Sequence, residues 1–109
     1  MGYGYTTDSY DSKLGFIDKQ TLLTYVSEEQ IYKLIFGFEP KEYQYVTNPL
    51  RVDTRPGCWF ERNQYGLRFR DFGYGQRSLD CFDMTQKYFK LPNFYATLKF
   101  IRDTLLSNK

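Results

Sequence analysis

Six arginines stand between positions 51 and 77 of this 109-residue chain: Arg51, Arg55, Arg62, Arg68, Arg70 and Arg77. No lysine falls among them. A guanidinium is a planar fork that grips phosphate or carboxylate through paired hydrogen bonds and lies flat on aromatic faces, whereas an ammonium supplies only a point charge. Aromatic rings are interleaved with these cations, among them Trp59, Tyr65 and Tyr74, in a chain holding eleven tyrosines and ten phenylalanines. The charge is uneven. Residues 1–46 carry four lysines against seven acids, a net −3, and residues 47–109 carry eleven cations against six acids, a net +5.

Other chemistries lack their parts. The chain has no histidine and two cysteines, Cys58 and Cys81. A standard zinc site needs four Cys or His ligands, and the usual general base near neutral pH is missing too. No metal or other cofactor is therefore expected, and no catalytic residue. The triplet Asp71-Phe72-Gly73 spells the metal-binding motif of protein kinases, but the chain is too short for the rest of that machinery. Gly73-Tyr74-Gly75 lacks the third glycine and the βαβ setting of a dinucleotide loop. Asp80 and Asp83, three apart, suit a helix start, where carboxylates are stabilised by the macrodipole. Without a signal sequence, the two thiols read as reduced and buried. No run approaches the ~18 apolar residues of a membrane span, so no membrane partner is expected and a cytoplasmic location is.

The elements that must position the arginines follow from patterning. Residues 1–15 read as a loose tail, and 16–109 as one domain. A helix is expected over 16–26, with Asp18 as a candidate cap. Ser27-Glu28-Glu29-Gln30 has the form of a capping box, and Ile31, Leu34, Ile35 and Phe38 follow at helical spacing. Gly37 and Pro40 end that helix. Residues 43–47 alternate as a strand. Pro56-Gly57 opens a second strand over 58–62, Asn63 to Gly66 form a turn, and 67–72 return as a third. Alternation places Arg68 and Arg70 on one face and Leu67 and Phe69 on the other. Ser78 or Asp80 begins a helix that Pro92 stops, and Asn93 caps a last helix striped by Phe94, Leu98, Ile101 and Leu105. The expected class is α+β, a small antiparallel sheet flanked by N-terminal and C-terminal helices.

The stretch from Asn48 through Arg51, Asp53-Thr54-Arg55-Pro56-Gly57, Cys58, Trp59 and Phe60 resembles the opening of the zinc-binding domain of bacterial and phage DNA primases. The likeness continues through the hairpin to 67–73, and Leu79-Asp80-Cys81-Phe82-Asp83 is similar to that family's Gly-Asp-x-x-Asp-Phe helix start. It covers roughly residues 16–106. The four zinc ligands of the family fall on Asn48, Arg51, Phe69 and Phe72, none of which suits zinc. The resemblance therefore implies a zinc-ribbon-like member that has lost its metal. A structural zinc contributes roughly 10 kcal/mol or more to a small domain. Packing of Phe69, Phe72 and Trp59 is the expected replacement.

What the resemblance implies is a non-catalytic template-binding module of phage or bacterial origin. It would hold single-stranded DNA, or RNA, on a basic and aromatic sheet face, beside a separate primase polymerase domain or a helicase. The residue types suit that task independently, since single strands are held by cations on phosphates and rings stacked on bases. Arg51, Arg55, Arg62, Arg68 and Arg70 are the candidate cations, and Trp59, Tyr65 and Tyr74 the candidate stacking faces. Trp59 has core packing as its alternative role. A protein-docking module on the same sheet is the alternative function, because Arg, Tyr and Trp also dominate protein interfaces.

Overall fold

The structure is a computed structural model that describes residues 18–52, 56–72 and 78–106. Among the described residues two helices, four strands and two more helices follow in the order α1 (Lys19–Tyr25), α2 (Glu28–Phe36), β1 (Tyr45–Val46), β2 (Cys58–Asn63), β3 (Gly66–Asp71), β4 (Ser78–Leu79), α3 (Cys81–Tyr88) and α4 (Phe94–Leu106). The strands form one antiparallel sheet in chain order. The fold class is α+β, as the patterning implies.

Side-chain caps set the helix starts. Asp18 accepts from the Thr21 amide at 2.7 Å, and Ser27 and Gln30 close a reciprocal capping box. Asp80 and Asp83 close another: each carboxylate accepts the other's backbone N–H. Asn93 accepts from the Ala96 amide at 2.7 Å. Gly37 ends α2 at φ +85, so Phe38 lies beyond the helix and is exposed. At the end of α3 a lysine, Lys90, takes the left-handed position at φ 57 while the Leu91 amide reaches back to the Gln86 carbonyl. That turn ends the helix before Pro92 is reached.

The helices lie side by side, α2 on α3, α3 on α4 and α4 on α1, with α2 and α3 resting on β3. Beneath them the sheet presents Cys58, Phe60, Leu67 and Phe69, all buried. Tyr32, Phe36, Phe60 and Phe69 pack ring against ring at centroid distances of 5.1–6.3 Å. The helix layer adds Leu22, Ile31, Phe82, Met84, Leu98 and Ile101. Of the rings expected to replace a metal, only Phe69 enters this core. Phe72 is 71% exposed, because it has the parity of Arg68 and Arg70 and follows them to the face opposite Leu67, Phe69 and Asp71. Trp59 is also on that face.

The open backbone edges of the hairpin are capped by side chains and by one loop amide. The Leu67 amide donates to Glu28 Oε1 at 3.1 Å, and the buried Tyr32 hydroxyl donates to the Leu67 carbonyl at 2.8 Å. On the β2 side the Tyr43 amide donates to the Phe60 carbonyl and the Arg62 amide to Glu42. Such capping removes the unpaired edge that would otherwise template another strand. Gly66 lets Glu28 approach: its φ is +112, and a Cβ there would sit 2.3 Å from Glu28 Oε2.

β4 is a strand that the patterning assigns to a helix start or leaves as a loop. Ser78 and Leu79 pair with Arg70 and Phe69, and only then does Asp80 begin α3. Burial alone would raise the Asp80 carboxyl, but the Asp83 amide and the Lys19 ammonium, 3.1 Å away, outweigh it and hold Asp80 below the usual aspartate range. Asp83 is pushed upward by burial and by the Asp80 charge.

Two outcomes follow. Phe69→Ala lowers stability by about 3–5 kcal/mol, whereas Phe72→Ala costs about 1 kcal/mol or less; urea midpoints measure both. A carboxyl depressed by folding contributes stability above its unfolded pKa and loses it as pH falls through the folded value. Asp80 does this, while Asp83 contributes in the opposite sense, its share fading as pH rises. The Asp80→Asn variant is therefore less stable than the native chain at neutral pH, and the difference shrinks as pH drops below the aspartate range. Thermal melts across pH 2–7 read that convergence.

Candidate functional site

The helices cover one side of the sheet, and on the other side strand register builds a row across all four strands. Tyr45 stands opposite Trp59, Trp59 opposite Arg70, and Arg70 opposite Ser78. Glu61 and Arg68 form a second row beside it. The alternation that buries Cys58 and Phe60 forces Trp59 and Glu61 outward, and that burying Leu67 and Phe69 forces Arg68 and Arg70 outward.

Three rings meet there. Trp59 lies 6.2 Å from Tyr45, edge to face, and 4.8 Å from Phe72. Tyr45 is 64% exposed and Phe72 71%, with Trp59 half-buried between them. Single exposed rings are ordinary, but a contiguous group is the kind of surface that marks a binding site. Glu61 orders its polar side. Its Oε1 accepts from the Trp59 indole at 3.3 Å and lies 3.2 Å from Arg70 Nε. Arg68 reaches the other way, to the Ser78 hydroxyl at 3.1 Å and the Ser78 carbonyl at 3.2 Å.

Phe72 is held against Trp59 from behind. Its amide donates to the Gly57 carbonyl at 3.2 Å. The preceding residue, Asp71, is 2% exposed and accepts from Asn48 at 2.7 Å. Arg51 adds a two-pronged ion pair, Nη1 to Oδ2 and Nη2 to Oδ1, the latter at 3.3 Å. Asn48 also accepts from the Leu50 amide at 2.8 Å, which fixes the turn carrying Arg51. This clip ties the segment before β2 to the end of β3.

The expected cations thus separate into two groups. Arg68 and Arg70 share the open face with Trp59. Arg51 is engaged with Asp71, and Arg62 projects to the helix side, where it pairs with Glu29 at 2.6 Å and Glu28 at 3.4 Å. Neither belongs to the ring cluster: Arg62 stands opposite Leu67 and follows its face, and Arg51 is drawn to a buried carboxylate. Tyr65 occupies the hairpin loop, 69% exposed, at the rim of a cleft of about 700 Å³ that Arg68 also lines. Arg55 and Tyr74 lie outside the described residues, as does Arg77.

Tyr45, Glu61 and Phe72 are the members of the face that the sequence reading missed. The alternation that sends Arg68 and Arg70 outward also sends Phe72 and Glu61 outward, but the pairing of β1 with β2 that brings Tyr45 to Trp59 was not visible.

The positions that the primase likeness assigns to zinc do not converge as ligands. Phe69 is in the core, Phe72 is on the open face, and Asn48 and Arg51 meet on Asp71. Among the described residues no three His, Cys, Asp or Glu side chains gather as a metal would require. Cys58 and Cys81 are buried thiols. Burial, reinforced by the charges of Asp80 and Glu28, pushes the Cys81 thiol up and keeps it protonated. No described helix is long and apolar enough to cross a membrane.

Comparison with known proteins returns no family model, no curated protein and no solved structure that matches the chain. The primase likeness stands on the sequence motifs alone.

Because Arg51 keeps about a third of its side chain in water, breaking the clip costs less than breaking a fully buried pair. Asp71→Asn lowers stability by roughly 1–3 kcal/mol and loosens Phe72 from Trp59. Arg62→Gln, whose ion pairs are exposed, costs about 1 kcal/mol or less. Urea unfolding followed by the emission of Trp59, the single tryptophan, reports both stability and local environment.

Proposed function

We propose that the open sheet face binds single-stranded nucleic acid, with bases stacked on Tyr45, Trp59 and Phe72 and phosphates held by Arg68 and Arg70. The observation that carries this reading is the contiguous, exposed ring cluster beside two outward arginines, on a sheet whose other face is filled. Every base has a flat face to stack, at roughly 1–3 kcal/mol each, so such a surface takes a single strand with little regard to sequence. A duplex hides those faces in its own stack.

The wider reading is that of a metal-free, primase-like template module from a phage or bacterium. It acts in the cytoplasm, in a host cell if viral, and delivers a strand to a polymerase domain or helicase. The module itself is non-catalytic in this reading. The motif likeness over roughly 16–106 and the excess of arginine after position 47 support it. Protein docking on the same face is the competing function, and salt separates the two. Phosphate contacts release counterions, so log affinity falls linearly with log salt by about 0.7 per phosphate for a single strand.

Fluorescence anisotropy of a labelled single-stranded oligonucleotide, titrated at about 50 and 200 mM salt, tests this. The native protein binds at the lower salt and weakens at the higher. Trp59→Ala loses about 5- to 150-fold in affinity, equivalent to one stacked base. The Arg68→Gln, Arg70→Gln double variant has a salt dependence shallower by about 1.4 in slope. Absence of binding at the lower salt, or binding indifferent to both variants, overturns the reading and leaves protein docking in its place.

A further inference from the structure

Arg68 differs from the other described arginines. Arg51 is paired with Asp71, Arg62 with Glu28 and Glu29, Arg70 with Glu61, and Arg102 with Asp103. Arg68 bonds only the hydroxyl and carbonyl of Ser78, both neutral, and has no carboxylate within ion-pair distance among the described residues. Its cross-strand neighbour is Glu61, but that carboxylate leans diagonally to Arg70. Asp83 senses the Arg68 charge without touching it. A half-buried guanidinium lacking a counter-charge is an anion site in waiting, since desolvating a charge is costly unless something answers it.

The surroundings of Arg68 suit an anion. Its side chain lies at the seam between the ring platform and the cleft of about 700 Å³, a volume within the range of small-ligand sites. Ser78 Oγ accepts from Arg68 Nε, which leaves its own O–H to donate outward. Gln20 and Gln64, both exposed, bring amide donors to the same cleft. The two other charged groups there are engaged. Lys19 is paired with Asp80, and Glu28 accepts from the Leu67 amide and from Arg62.

We infer that this cleft is a phosphate subsite, in which Arg68, the Ser78 hydroxyl and the Gln20 and Gln64 amides hold a phosphate of the strand lying on the ring platform. The inference rests on the platform reading for the identity of the ligand, while the anion chemistry rests on Arg68. It gives the bound strand a direction, off the rings, past β4 and toward Tyr65 at the rim. The phosphate is either a terminal group or one between two nucleotides.

The test is a titration of ¹⁵N-labelled protein with inorganic phosphate, and then with a trinucleotide carrying or lacking a terminal phosphate. The Arg68 Nε–Hε resonance is expected to move with phosphate. The move is expected to weaken in a Gln20→Glu, Gln64→Glu variant, which places negative charge in the cleft and leaves the core and rings untouched. A terminal phosphate that raises trinucleotide affinity about tenfold or more in the native chain, but not in Arg68→Gln, identifies a terminal group. An unphosphorylated trinucleotide that moves the resonance as far identifies a phosphate between nucleotides. Shifts from phosphate that fall on Arg102 as much as on Arg68 overturn the subsite. Quenching of Trp59 by the trinucleotide with Arg68 unmoved also overturns it, and leaves the platform reading standing. Phosphate that moves Arg68 while no oligonucleotide binds does the reverse.

Discussion

In β2 and β3 every second side chain points under the helices, and the rest stand half-buried or exposed on the opposite face. That one-sided burial governs the molecule. Cys58, Phe60, Leu67 and Phe69 need α2 and α3 above them to leave water, and the stabilisation is roughly 1.5–3 kcal/mol for each large apolar side chain fully buried. Once these residues face inward, Trp59, Glu61, Arg68 and Arg70 have no choice of side, because a strand that slips by one residue would exchange both sets. The edge caps from Glu28, Tyr32, Glu42 and the Tyr43 amide hold that register. The open face is therefore a consequence of the core.

The Asp71 clip extends the same logic to the end of the hairpin. A carboxylate almost out of water is stable only when its oxygens are answered, and Asn48 and Arg51 answer them from the segment before β2. With Asp71 fixed, Phe72 must leave the strand on the Trp59 side. Two of the four positions at which the primase likeness would place zinc ligands, Asn48 and Arg51, thus do a cross-linking job by hydrogen bonds and charge. The third, Phe69, is a core ring, and the fourth, Phe72, lies on the platform.

What could be read from the residues was what local physics decides. Asp18, Ser27 with Gln30, and Asp80 with Asp83 cap their helices because a short polar side chain needs only its own next turn to bond. The opposed faces of Arg68/Arg70 and Leu67/Phe69 follow from a period of two. The long-range partners were not legible. Arg51 finds Asp71 twenty residues away, and Arg62 finds Glu29 across thirty-three. An arginine in a sequence does not show whether its charge is already answered. β4 has two residues, too few for any pattern, and exists because Phe69 and Arg70 offer it an edge. Phe72 shares the parity of Arg68 and Arg70, so the alternation already places it on their face; its expected place in the core came from the primase likeness, not from the pattern.

The central claim is that these rings offer flat faces to unstacked bases. Trp59, as the single tryptophan, reports on that directly. Its emission, followed while unlabelled oligonucleotide is added either single-stranded or annealed to its complement, is the decisive measurement. Bases stacked on Trp59 give strong, saturable quenching by the single strand and little by the duplex at equal phosphate concentration. Equal quenching by both, or none by either, contradicts that claim.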